Sequence, residues 1–199
     1  LLCKPTPVID ECCKGQSFDV KVIKRICEAD PKRVNGRRTE SVFAKNETPL
    51  MLCTQNGHLE GVEYLIQKEA DVNVVDDNDW NALTFAAQRA TDQLGTNLKI
   101  VKALLDAKID VNQCSKSNKH VKGETPLQRA AKFWNPYSNG DKTKPEQENI
   151  KEFLRVLISS GAHVERHNHF HQNQWELLQE LLREHEQQHK EEKKNIAQP

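Results

Sequence analysis

At 199 residues the chain is long enough for one continuous core or a short array of stacked units. Hydrophobic residues make up 36% and charged residues 29%, which is polar for one packed globule and compatible with an elongated fold whose surface stays wet. Twenty-nine basic side chains balance 29 acidic ones, so no global charge points to nucleic acid or an anionic membrane. No apolar run approaches the roughly 18 residues of a spanning helix.

The chain opens Leu1-Leu2-Cys3 and its single Met stands at 51, which suggests an expressed segment of a longer protein. The first predicted helices lie around Val8–Lys14 and Phe18–Ala29, with Ile9, Cys13, Val20, Ile23 and Ile26/Cys27 as an apolar stripe at helical spacing. They end at Asp30-Pro31-Lys32-Arg33-Val34-Asn35. A second pair is predicted over Pro49–Asn56 and Leu59–Lys68, with Pro49 tolerated in the first turn and Gly57 ending the helix in a left-handed conformation. Val62, Leu65 and Ile66 are its inward residues. A third unit runs from Asn81 to Asn112, with six extra residues in Thr91–Asn97 and five more in the following connection, Cys114–Val121. The fourth starts at Thr125 and ends at Ala162-His163-Val164-Glu165. About fifteen inserted residues, Trp134–Glu148, carry the Pro, Gly and Asn of loop chemistry and precede a helix over Asn149–Ser160. Trp175–Leu182 reads as a covering helix, and the charged run after it as a solvated helix extension or a frayed tail.

Two tripeptides organise these units. Thr48-Pro49-Leu50 and Thr125-Pro126-Leu127 are each followed, after one helix-turn-helix length, by an Asp-Val-Asn-like ending, and a weaker copy, NALTFAA, begins at Asn81, 33 residues after Thr48. The pattern resembles the ankyrin repeat, which opens T-P-L-H-x-A and recurs about every 33 residues. The resemblance implies an all-α solenoid of about four repeats, approximately 1–35, 36–73, 74–112 and 113–165, with residues 166–199 as a capping helix and charged tail. It implies a non-catalytic protein-binding module that needs no cofactor, is monomeric in isolation, and works in the cytoplasm. A nuclear location, or a host cytosol reached by secretion, stays open.

In this family partners lie in a groove formed by finger-like turns and inner helices. Carried onto this sequence, the partner-binding set is Asp77, Asn78, Trp80, Gln88, Arg89, Lys122, Lys132, Phe133, Trp134 and Tyr137, flanked by Asn46, Gln55, Asn56 and Val121. Trp80 is read as a partner contact because a fingertip offers little core to bury it. Phe133, Trp134 and Tyr137 have two readings, as contact hot spots or as pins for the long insertion. Asp76, Asp77 and Asp79 face Lys116, Lys119 and Lys122 on the next finger, a surface that suits a partner with complementary charges.

Motifs with chemical potential fare poorly. His185-Glu186-Gln187-Gln188-His189 matches H-E-x-x-H, yet it sits among charged residues with nothing to form a walled, dry site. His163, His167, His169 and His171 lack a thiolate or carboxylate to complete a tetrahedral set, so no metal is assigned. The six cysteines (Cys3, Cys12, Cys13, Cys27, Cys53, Cys114) show no C-x-x-C pair, and an adjacent Cys12-Cys13 suits neither zinc nor an easy bridge. They are read as reduced, with Cys53 a small buried hydrophobe and Cys114 prone to oxidation in its Lys-rich loop. Two rival functions remain: a substrate-recruiting or regulatory segment of a larger enzyme or pathogen effector, and an oligonucleotide or nucleotide sensor stacking a base on Trp80.

Overall fold

The computed structural model describes residues 7–15, 17–38, 46–91, 95–116, 123–134, 144–166 and 170–196. Among them are nine α-helices: α1 (Pro7–Cys12), α2 (Val20–Ala29), α3 (Pro49–Asn56), α4 (Leu59–Gln67), α5 (Ala82–Ala87), α6 (Thr96–Asp106), α7 (Pro126–Ala131), α8 (Lys144–Ser159) and α9 (Gln172–Ile196). A 3-10 turn, Pro31–Asn35, follows α2, and the described residues contain no strand beyond an isolated bridge between Arg38 and Glu47.

The repeated tripeptide is a helix-start device. Thr48 Oγ1 accepts the Met51 amide at 3.3 Å, Asn81 Oδ1 the Thr84 amide at 3.0 Å, and Thr125 Oγ1 the Gln128 amide at 3.3 Å. Each satisfies a donor that the first helical turn would otherwise leave unpaired. Gln128 Oε1 reciprocates by accepting the Thr125 amide at 3.0 Å, closing a capping box. Short helices so capped are apolar nearly all round: Leu50 to Thr54 and Ala82 to Ala87 are buried throughout. They can exist only as an inner row clamped between neighbours, and α1, α3, α5 and α7 do stack in that order. The longer α2, α4 and α6 form a second row behind them, each hairpin pairing one inner and one outer helix.

Successive units are further tied by asparagines at their ends. Asn35 Oδ1 accepts the Asp71 amide at 3.0 Å, Asn73 Oδ1 the Asp110 amide at 2.7 Å, and Asn112 Oδ1 the His163 amide at 2.9 Å. Asn73 and Asn112 also donate back, to Lys108 O at 3.3 Å and Gly161 O at 3.1 Å. One side chain per unit thus bridges to the next.

Two details differ from the sequence reading, and a third decides between its alternatives. Cys13 leaves the apolar stripe: α1 turns Val8, Ile9 and Cys12 into the core and Cys13 to solvent. The helix expected over Asn149–Ser160 starts earlier, at Lys144, inside the stretch read as loop. Pro145 is compatible with a first helical turn, and Glu148 near that end complements the helix dipole. Finally, α9 continues to Ile196, so the charged run is a solvated helix. Leu177, Leu178 and Leu181 are buried, and α9 packs on α8.

Candidate functional site

Interacting side chains gather where the finger turns before α5 and α7 meet those two inner helices. The first finger is built on a buried carboxylate. Asp76 Oδ1 accepts the Asn78 amide at 2.8 Å and the Trp80 amide at 2.9 Å, while its Oδ2 takes Asn78 Nδ2 at 3.2 Å. Asp76 is therefore a turn-forming residue, and it is withdrawn from the acidic surface expected of this finger. Its neighbours are engaged as well. Asn46 Nδ2 donates to Asp77 Oδ1 at 2.6 Å, and Lys116 Nζ reaches Asp79 Oδ1 at 3.7 Å and donates to the Asp77 carbonyl. Lys116 N donates to Asn78 O at 2.9 Å, which sets the two fingers side by side. Opposite charges at that spacing neutralise each other across the fingers.

Trp80 occupies the place before the helix cap where the other units carry Glu47 and Glu124. Those two glutamates are buried and ion-paired, Glu47 with Arg38 at 3.1 Å and Glu124 with Arg129 at 3.5 Å and with Lys132. Burial pushes the Glu47 carboxyl above its ordinary value, against the pull of Arg38. Trp80 answers an arginine by other means. The Arg129 guanidinium lies 4.1 Å from the centre of its ring, and Phe85 meets it edge-on at 5.5 Å. Burial lowers the Arg129 pKa from its ordinary value, partly offset by Glu124. The fingertip thus does supply a packing surface for Trp80, contrary to the premise of the sequence reading: Phe85 of its own inner helix and Arg129 of the next provide it.

At the end of α7, Lys132 and Phe133 are exposed, and Phe133 at 41% is the exposed large hydrophobic side chain among the described residues. Trp134 is half-buried, with Lys151 Nζ 5.2 Å from its ring centre. Gln174 Nε2 donates to Lys132 O at 3.2 Å and Trp134 O at 3.4 Å, tying the start of α9 to this corner. Between them opens a cleft of about 680 Å³ lined by Lys132, Trp134, His171, Gln172, Asn173, Gln174 and Glu176.

The chain matches the description "Ankyrin repeats (3 copies)" over residues 9–115. It belongs to the ankyrin-repeat family. It is 36% identical over 92 residues to "Ankyrin repeat and SAM domain-containing protein 6" of Mus musculus, covering 46% of this chain and 9% of that protein. For the protein of the same name in Rattus norvegicus the figures are 35% over 98 residues, 49% and 10%. The chain therefore spans about a tenth of the length of these relatives.

In the ankyrin stack Trp80 is linked to Lys132 through Arg129 and Glu124, and Phe133 and Trp134 follow the end of α7. Gln88 is half-buried at the end of α5, and the Arg89 guanidinium crosses to the end of α3, where Nη1 donates to Gln55 O at 3.3 Å. Lys122, Tyr137, Val121, Lys119, His167 and His169 lie outside the described residues. Arg129 and Glu124 escaped the sequence reading. Arg129 stands where Leu52 and Phe85 stand in the preceding repeats, and a charge at that apolar position was the available signal. Elsewhere, His185 and His189 stack edge to face at 4.6 Å on α9, His185 half-buried beside Ile158 and Ser159 of α8 and His189 exposed. Among the described residues no group of three or more His, Cys, Asp or Glu is placed to hold a metal, and no helix is long and apolar enough to cross a membrane.

Proposed function

We propose that this array is a non-catalytic module that binds a protein partner across the α5–α7 end of the inner row. Family membership supports protein binding as the general role. The observation that carries the choice of surface is Phe133, 41% exposed beside Lys132 at the C-terminal end of α7. Exposed aromatics of this kind are the anchors that fill a partner's pocket, flanked by charge that sets orientation. Trp80 and Arg129 form a stiff floor beside them: the indole is held on one face by the guanidinium and edge-on by Phe85. The oligonucleotide reading is weakened by the same contact, since a base stacking there has to displace Arg129.

A recruiting array within a longer multidomain protein is a second reading, favoured by the small share of the mouse and rat proteins that the similarity covers. It keeps the same surface and changes only what is delivered. Affinity capture tests the surface. Phe133→Ala and Lys132→Glu should each weaken recovery of the partner about tenfold or more, as loss of a hot spot near 2 kcal/mol does. Lys102→Glu, on the exposed side of α6, should leave recovery unchanged. The reverse pattern places recognition on the outer row.

A further inference from the structure

The described cysteines divide into exposed Cys13 and Cys114 and buried Cys12, Cys27 and Cys53. Two of the buried ones, 41 residues apart, meet. Cys12 ends α1, Cys53 lies within α3, and the Cys53 thiol donates to Cys12 Sγ across 3.2 Å. Both side chains are fully enclosed. Their sulfurs have little room to turn apart, because a Cβ placed at Gly61 would come 2.8 Å from Cys53 Sγ and 2.8 Å from Phe18 Cζ. A disulfide holds its sulfurs about 2.0 Å apart, so closure needs a movement of only about an ångström. The hydrogen bond from Cys53 and burial push the Cys12 thiol well above its ordinary pKa, so the closed pair is inert at rest. Access comes through α1, which packs on α2 and α3 at the edge of the described stack, where local opening costs least.

We propose that Cys12 and Cys53 are a site of reversible oxidation, forming an intramolecular disulfide with peroxide as the oxidant and fastening α1 to α3. One thiolate attacks hydrogen peroxide, the O–O bond breaks, and a sulfenic acid and hydroxide result. The second thiol then attacks the sulfenic sulfur, forming the S–S bond as the hydroxyl departs with a proton as water. In sum, two thiols and one peroxide give one disulfide and two waters. A dithiol reductant reverses the change. The reduced hairpin opens locally, and the oxidised one is stapled to the neighbouring repeat.

The test treats the full chain with hydrogen peroxide, blocks remaining thiols with N-ethylmaleimide, and digests it without reductant for mass spectrometry. The expected product is a peptide pair joined through Cys12 and Cys53, removed by dithiothreitol. Amide exchange in α1 should slow at least tenfold on oxidation. Cys53→Ser and Cys12→Ala, each checked for helix content by circular dichroism, should abolish both changes. Recovery of Cys12 and Cys53 as free thiols after denaturation, while Cys13 or Cys114 is oxidised, overturns the proposal. So does a cross-link that joins Cys53 to Cys13, or one that forms only between molecules through Cys13 or Cys114.

Discussion

His58 shows how one side chain couples two repeats. Its ring stacks on Phe18 at 3.9 Å with planes 7° apart, and Nε2–H donates to the Lys14 carbonyl. Burial holds its pKa below the ordinary imidazole value, with the Lys14 bond opposing. A folded ring that binds its proton more weakly than the unfolded chain gives stability that is complete above about pH 7.5 and lost as pH falls through about 6.5 and below. Melting temperature measured from about pH 8 to 5 should therefore fall on the acid side, and His58→Gln should flatten that fall. Glu47, pushed the other way by burial, works in the opposite sense and survives in the variant as a control. Gly61 makes a second residue-level case. Gly61→Ala should destabilise the fold by about 1–3 kcal/mol in chemical denaturation, the usual result of overpacking, because Cys53 Sγ and Phe18 Cζ already fill the space. A change near zero would mean that the Phe18 ring moves aside freely. The structural role of His58 was legible from its Gly-His turn. The contacts of Cys53 with Cys12 and of Trp80 with Arg129 were not, because each crosses to a neighbouring repeat and spacing along the chain carries no record of it.

Elements were legible wherever local chemistry decides them. Thr48, Asn81 and Thr125 cap α3, α5 and α7 at the positions their sequence pattern indicates. The error at α8 has a physical origin: Pro145 was taken as loop chemistry, whereas in a first turn it lacks only a hydrogen bond the helix does not need. Linking of the elements rests on the asparagine bridges and on Asn97. Asn97 is buried and donates to Ala86 O at 3.0 Å and Arg89 O at 2.9 Å, pinning the start of α6 to the end of α5. Asn112→Ala removes the bridge to His163 and Gly161 and should cost about 1 kcal/mol. Hydrogen exchange should speed up at the His163 amide and leave the Asp110 amide, held by Asn73, as it was. Equal acceleration at both would indicate global loosening in place of a local bridge.

The whole molecule follows from helices too short to bury themselves, stacked until each lends its neighbour a core. That architecture could be read from Thr48-Pro49-Leu50, its weaker copy 33 residues on at Asn81, and a second Thr-Pro-Leu displaced by two insertions. The proposed interaction surface was legible only in part. Phe133 and Trp134 stood out as aromatics at the end of α7, but Arg129, which covers Trp80, and the Glu124 that holds Arg129 and Lys132 become visible only when adjacent repeats are stacked. The pairing of Lys116 with Asp79 likewise turns an expected charged lure into a contact between fingers, which shifts the weight of the proposed surface toward α7. Cross-linking from defined positions tests that placement most directly. A benzophenone side chain installed at position 133 should, on irradiation, join the array covalently to its bound protein, while the same group at position 102 on α6 should not. Efficient capture from position 102 with none from position 133 would contradict the account.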